Sequence, residues 1–203
     1  MKTVVLFGGT FDPVQLGHLA VADQAHRALQ PDEFWFLVAN TPGERKPVFA
    51  PALLRLEMVR AALNGDDRFE ISDIEIQRGG VTFTAETMAE LHRTQPATRF
   101  SLLLGTDSAR SINAWRYGDA LLRDECFVVV NRSGDQQLTV DDLTRLGYVA
   151  SRVQLLQVDS PPVSASEVRA RAGRGESLES VVPPAVAAII GREQLYAAPS
   201  LRA

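Results

Sequence analysis

The chain has 203 residues, 45% of them hydrophobic and 23% charged, enough for one α/β domain with a sizeable core. A formal charge of −4 and a pI near 5.4 exclude the basic field of a general nucleic-acid binder. The single cysteine excludes an internal disulfide, and no apolar run approaches the roughly 18 residues of a membrane span.

The first predicted element is a strand at 3–7, a continuous apolar, β-branched run of the kind a parallel strand buried on both faces requires. It is too short for a signal peptide and runs straight into Gly8-Gly9 and Asp12, so the expectation is a cytoplasmic protein. Gly8-Gly9-Thr10 leads to Phe11-Asp12-Pro13, and Gln15-Leu16-Gly17-His18 opens an amphipathic helix over Leu16–Leu29. Two glycines at a strand end let the backbone approach a ligand, and the helix N-terminus beyond them offers free N–H groups and a positive dipole end. His18, one turn into that helix, brings a titratable donor to the same place. The combination marks a nucleotide site.

A second strand at 34–38 is followed by the polar loop Asn40–Pro47 and a helix from Pro51 to Leu63. The loop carries Gly43, Glu44 and the basic pair Arg45-Lys46. The pair can neutralise phosphate, Glu44 repels it unless turned away, and a plain solvated loop fits equally well. A helix over Thr84–His92 has Thr84 as an available N-cap. The strand at 100–104 ends in Gly105-Thr106-Asp107, where Asp107 can cap the next helix. The strand at 126–130 begins with Cys126, which its apolar neighbours mark as a buried structural thiol.

After a strand at 153–157, Ser164 and Glu167 have capping-box spacing. A capped helix N-terminus is also an anion site, and Ser166 and Arg169 fall within its first turns. The last helix spans Pro183 to Leu195, and Pro199–Ala203 is expected to fray. His26 and His92 lie within helical patterns and read as packed or solvated side chains.

Strands alternating with helices predict a single Rossmann-like, doubly wound domain over residues 1–203, its mostly parallel sheet covered by helices on both faces. Ligands of such sheets bind outside the carboxyl ends of the strands, where strand order reverses. The turn GGTFDP is neither G-x-G-x-x-G nor G-x-x-x-x-G-K-[ST], which argues against a dinucleotide dehydrogenase and a P-loop NTPase.

GGTFDPVQLGH resembles the signature of nucleotidylyltransferases that carry a His-x-Gly-His motif after the first strand. Within that superfamily the chain is most similar to bacterial nicotinate mononucleotide adenylyltransferases. Five collinear segments carry the likeness: Arg78–Thr87, Leu103–Trp115, Val129–Gly134, Val163–Arg169 and Val182–Tyr196. The resemblance implies transfer of AMP from ATP to nicotinate mononucleotide, giving deamido-NAD and pyrophosphate. Nicotinamide mononucleotide or phosphopantetheine as acceptor, or a nucleotide-binding protein with weakened catalysis, stay open as alternatives.

The resemblance also distributes roles. His18 matches the second histidine of the motif and is expected to donate to the α-phosphate in the transition state; Gln15 stands where the first histidine would, and still offers a donor that cannot titrate. Arg169 joins them in the catalytic set. Gly8, Gly9, Thr10, Phe11, His18, Gly105, Asp107, Ser164, Ser166 and Arg169 are expected around ATP. Asn40, Thr82, Phe83, Thr84, Trp115 and Arg132 are expected around the pyridine nucleotide, with the Trp115 ring stacked on the pyridine. No metal-ligand cluster is apparent, so Mg²⁺ is expected to arrive with ATP. Nucleic acid and membrane are not expected partners, and a homo-oligomer is compatible with the sequence.

Overall fold

The computed structural model describes residues 1–43, 47–134 and 136–197. Glu44, Arg45 and Lys46, on which the charge reading of the second loop rests, lie outside the described residues. In chain order the elements are β1 (Lys2–Gly9), α1 (Leu16–Leu29), β2 (Glu33–Val38), β3 (Thr41–Pro42), α2 (Ala52–Leu63), β4 (Glu70–Ser72), α3 (Ile74–Arg78) and β5 (Val81–Thr82). There follow α4 (Thr84–Thr94), β6 (Thr98–Gly105), α5 (Thr106–Ser111), α6 (Gly118–Asp124) and β7 (Cys126–Arg132). Last come α7 (Val140–Arg145), β8 (Val153–Val158), α8 (Ala165–Gly173) and α9 (Pro184–Arg192).

Six strands form one parallel sheet in the order β4-β2-β1-β6-β7-β8. The chain winds outward from β1 in one direction and from β6 in the other, the doubly wound pattern expected from the alternation of strands and helices. Successive side chains of a strand point to opposite faces, and here both faces are covered. Val5 and Phe7 belong to one core with Phe34, Phe36, Val128 and Val130, beneath α1, α2, α8 and α9. Val4 and Leu6 belong to the other with Phe100, Leu102, Phe127 and Val129, beneath α4, α5, α6 and α7. Burying each such side chain is worth about 1.5–3 kcal/mol, and this double burial is why β1 reads as an unbroken apolar run.

Several boundaries differ from the sequence reading. Glu70-Ile71-Ser72 adds an edge strand too short to show any alternation. Thr41–Pro42 and Val81–Thr82 pair into a separate two-stranded sheet. Thr84 is the first helical residue of α4 rather than its cap; Phe83 occupies the N-cap and supplies no side-chain bond. Asp107 likewise lies inside the first turn of α5, whose N-cap is Gly105.

Candidate active site

β1 and β6 pair from Lys2–Thr98 up to Leu6–Leu102, while β1 runs on to Gly9 and β6 to Gly105. The two strands part there, at the point where strand order reverses. Crevices in open α/β sheets form at this position because the loops leave in opposite directions. The loop after β1 and the helix it enters carry Gly8 to His18, and the loop after β6 carries Gly105 and Asp107. Space beside Gly8 and Gly105 is open; a Cβ on either would meet nothing within 4 Å. Gly9 is different, since a Cβ there would lie 2.8 Å from the Phe11 ring. Phe11 takes a left-handed φ of 47° and is buried against Phe7, Phe36 and His18. Its ring is part of the core, so of this residue expected at ATP only the backbone is left to face a ligand.

Gln15 is the N-cap of α1, and it and His18 cap the helix reciprocally. The Gln15 Oε1 accepts from the backbone N–H groups of Gly17 and His18, and its Nε2 donates to Val163 O at 2.9 Å. In return the Gln15 backbone N–H donates to His18 Nδ1 at 3.1 Å. An accepting Nδ1 places the proton of the neutral imidazole on Nε2. The ring packs edge-on to Phe7 and Phe11. Burial, and then the positive charge of Arg132, push the His18 pKa down to about 4. His18 is therefore a neutral, oriented N–H donor, and the charge of Arg132 at the end of β7 bears on it. The Gln15 backbone N–H thus orients the His18 ring, while its side chain caps the helix that carries His18.

Asp12 joins three distant segments. Its carboxylate accepts from Phe49 N at 2.6 Å, Ala50 N at 3.2 Å and the Tyr196 hydroxyl at 2.7 Å. Its backbone carbonyl accepts from Arg169 Nη1 at 2.7 Å. Arg169 also donates to Ser166 Oγ at 3.1 Å and lies 4.3 Å over the Phe49 ring. Ser164 caps α8 by accepting from Glu167 N, but the reciprocal half of the box is missing because Glu167 pairs with Arg171. Ser164, Ser166 and Arg169 thus gather at the start of α8, and Arg169 ties that helix to the loop before α1.

Arg55 was not singled out in the sequence, although it is completely buried. Its guanidinium donates to Thr10 O at 2.7 Å, Ala39 O at 2.6 Å, Ala50 O at 3.0 Å and Asn40 O. One side chain therefore binds the loops after β1 and β2 and the entry to α2. The signal was available, since Arg55 shares the buried stripe of α2 with Val59 and Leu63.

The residues expected at the pyridine ring form a second cluster around the small sheet. Thr41 pairs with Val81 and Pro42 with Thr82. Asn40 Nδ2 donates to Gly80 O at 2.8 Å, and Thr82 Oγ1 donates to Thr41 O at 3.2 Å. The Arg116 guanidinium lies 4.6 Å over Phe83, which brings the segment after Trp115 to the same place. Trp115 is partly buried against the second core, and its indole N–H donates to Ser111 Oγ. Beneath the cluster Glu75 is buried and accepts from Thr87 Oγ1 at 2.7 Å; burial pushes its carboxyl pKa up, against the pull of Thr87, Thr82, Arg78 and Arg55. Asn40, Thr82, Phe83 and Thr84 are thus neighbours, with Trp115 alongside, and the charge of Arg132 bears on His18.

Among the described residues no group of three or more His, Cys, Asp or Glu side chains could hold a metal ion. Nor is any helix among them long and apolar enough to cross a membrane.

Comparison with known proteins shows the family. Residues 6–171 match the cytidylyltransferase-like family. The chain is 36% identical to a protein of Exiguobacterium sibiricum named "Probable nicotinate-nucleotide adenylyltransferase", covering 95% of this chain and 97% of that one. A protein of Shouchella clausii with the same name is 35% identical, with 97% of each chain covered. In three dimensions it is similar to the nicotinic acid mononucleotide adenylyltransferase of Plasmodium falciparum complexed with NaAD. That match has a TM-score of 0.82 at 18% identity over 97% of this chain and 98% of the other. The chain belongs to the cytidylyltransferase-like family, in its nicotinate-nucleotide adenylyltransferase branch.

Proposed function

We propose that this protein transfers AMP from ATP to nicotinate mononucleotide, releasing pyrophosphate and deamido-NAD, a step of NAD biosynthesis. The observation that carries the reading is the Gln15 N–H bond to His18 Nδ1, which leaves Nε2–H as a fixed donor one turn into the helix that follows the Gly8-Gly9 turn. A phosphate oxygen of the mononucleotide attacks the α-phosphorus of ATP, and the bond to the β-phosphate breaks with its electron pair leaving on pyrophosphate. No protein nucleophile is needed; the protein holds two anions together and stabilises charge on the α-phosphate. His18 donates to that phosphate without giving up its proton, while Ser164, Ser166 and Arg169 hold the outer phosphates. Mg²⁺ enters with ATP as part of the substrate and supplies charge neutralisation. Asn40, Thr82, Phe83, Thr84 and Trp115 receive the pyridine nucleotide.

The test is pyrophosphate release with ATP and Mg²⁺, offering nicotinate mononucleotide and its amide in parallel, with His18→Ala as control. Losing one preorganised donor costs about 10²–10³ in rate. Preference for the acid, reduced by that factor in His18→Ala, is the expected outcome. Release with neither acceptor would overturn the proposal, and equal use of both would replace its acceptor.

A further inference from the structure

We propose that Tyr196 is a positioning residue for ATP binding, acting through Asp12 on Arg169. The inference rests on the reading of Arg169 as a ligand of the ATP phosphates. Tyr196 lies beyond the last helix, far in sequence from every residue of the motif, yet two contacts place it on both halves of the phosphate site. Its hydroxyl donates to Asp12 Oδ1 at 2.7 Å. Its backbone presses on the end of α8, where a Cβ on Gly173 would lie 3.0 Å from Tyr196 O. One contact is with the loop whose carbonyl holds Arg169, the other with the helix that carries it.

The approach to this position is unusual. Gln194 and Tyr196 adopt left-handed backbone conformations, with φ of 49° and 64°. Such angles are disfavoured for residues with a Cβ and persist where the surrounding structure over-determines them. Leu195 between them is held by its N–H bond to Ile190 O at 3.0 Å. The turn delivers the phenol to a carboxylate already shared by Phe49 N and Ala50 N. Burial and the neighbouring Asp12 charge push the Tyr196 pKa up, so the hydroxyl remains a donor at every ordinary pH. Asp12 is thereby held from three sides while its carbonyl holds Arg169. Without the phenol, Asp12 and the Arg169 guanidinium lose one of their fixed supports.

Tyr196→Phe removes the hydroxyl and keeps the ring. ATP affinity is read by calorimetry in Tyr196→Phe, Arg169→Gln and the double variant, with KM for both substrates and thermal melting alongside. One net hydrogen bond corresponds to a factor of about 2–12. The expectation is an ATP Kd raised about five-fold by Tyr196→Phe, a pyridine-nucleotide KM within two-fold of wild type, and no further loss in the Arg169→Gln background. Gly173→Ala, which displaces Tyr196 O, should weaken ATP selectively in the same way. A lower melting temperature with ATP Kd unchanged would overturn the inference, as would equal weakening of both substrates. The same five-fold loss with and without Arg169 would do so too. If the wild type binds ATP but adenylylates no pyridine mononucleotide, the transferase reading fails while the ATP Kd series still decides the role of Tyr196. Absence of ATP binding in the wild type would refute both.

Discussion

Replacing Arg55 by Met would remove the central tie between the loops after β1 and β2 while keeping a side chain of similar reach. Four carbonyls, those of Thr10, Ala39, Asn40 and Ala50, would lose their donor. An orphaned buried acceptor costs about 1–3 kcal/mol, and since only Ala50 is fully buried among the four, the gross loss lies below the upper bound of about 12 kcal/mol. Against this stands the cost of burying the guanidinium itself, large enough to push its pKa down despite Asp12, Tyr196 and Glu75 nearby. The net expectation is a loss of about 3–5 kcal/mol, because relief of that burial cost offsets part of the loss at the carbonyls, against a typical total stability of about 5–15 kcal/mol. Urea unfolding followed by circular dichroism measures it directly. With a slope of about 2–3 kcal/mol per molar, the midpoint should fall by about 1–2 M while the slope is unchanged. Arg55→Lys keeps a cation but not the planar five-donor fork, and should lose an intermediate amount. A midpoint shift below about 0.4 M in Arg55→Met would refute the reasoning, because the four carbonyls would then have found other donors at little cost.

Two further outcomes follow from the capped histidine. NMR titration of the ligand-free protein should place the His18 midpoint near 4. In the unfolded chain it lies near 6.5, so the unfolded state binds more protons between these values, and the His18 contribution to stability is lost as pH falls through that window. A folded-state midpoint at or above 6.5 would contradict the half-buried, neutral imidazole. Gln15→Ala should cost about 1 kcal/mol for the cap, and more for the Val163 carbonyl it orphans. Its turnover should fall towards that of His18→Ala, whereas Gln15→His should keep or modestly raise activity. Wild-type turnover in Gln15→Ala would show that the backbone N–H at position 15, which alanine keeps, orients His18 without the side-chain cap.

Much of the fold and part of the site were legible in the chain because they rest on local chemistry. The double burial of β1 writes itself as Val4-Val5-Leu6-Phe7, α1 begins at Leu16 as its periodicity requires, and Ser164 caps α8. The grouping of the motif segments at the carboxyl ends of the parallel strands follows from strand–helix alternation. The short elements were not legible, since Glu70–Ser72 and the pair Thr41–Pro42 with Val81–Thr82 are too brief to carry a period. Tertiary structure alone decided that Gln15 spends its side chain on the cap and on Val163, and that the charge of Arg132 reaches His18. It alone made Arg55 a hub of four carbonyls and brought Tyr196 to Asp12. Each of these contacts depends on where loops from different strands meet. Local propensity and periodicity act over a turn or two, whereas a buried polar group takes whichever partner the assembled fold brings within reach.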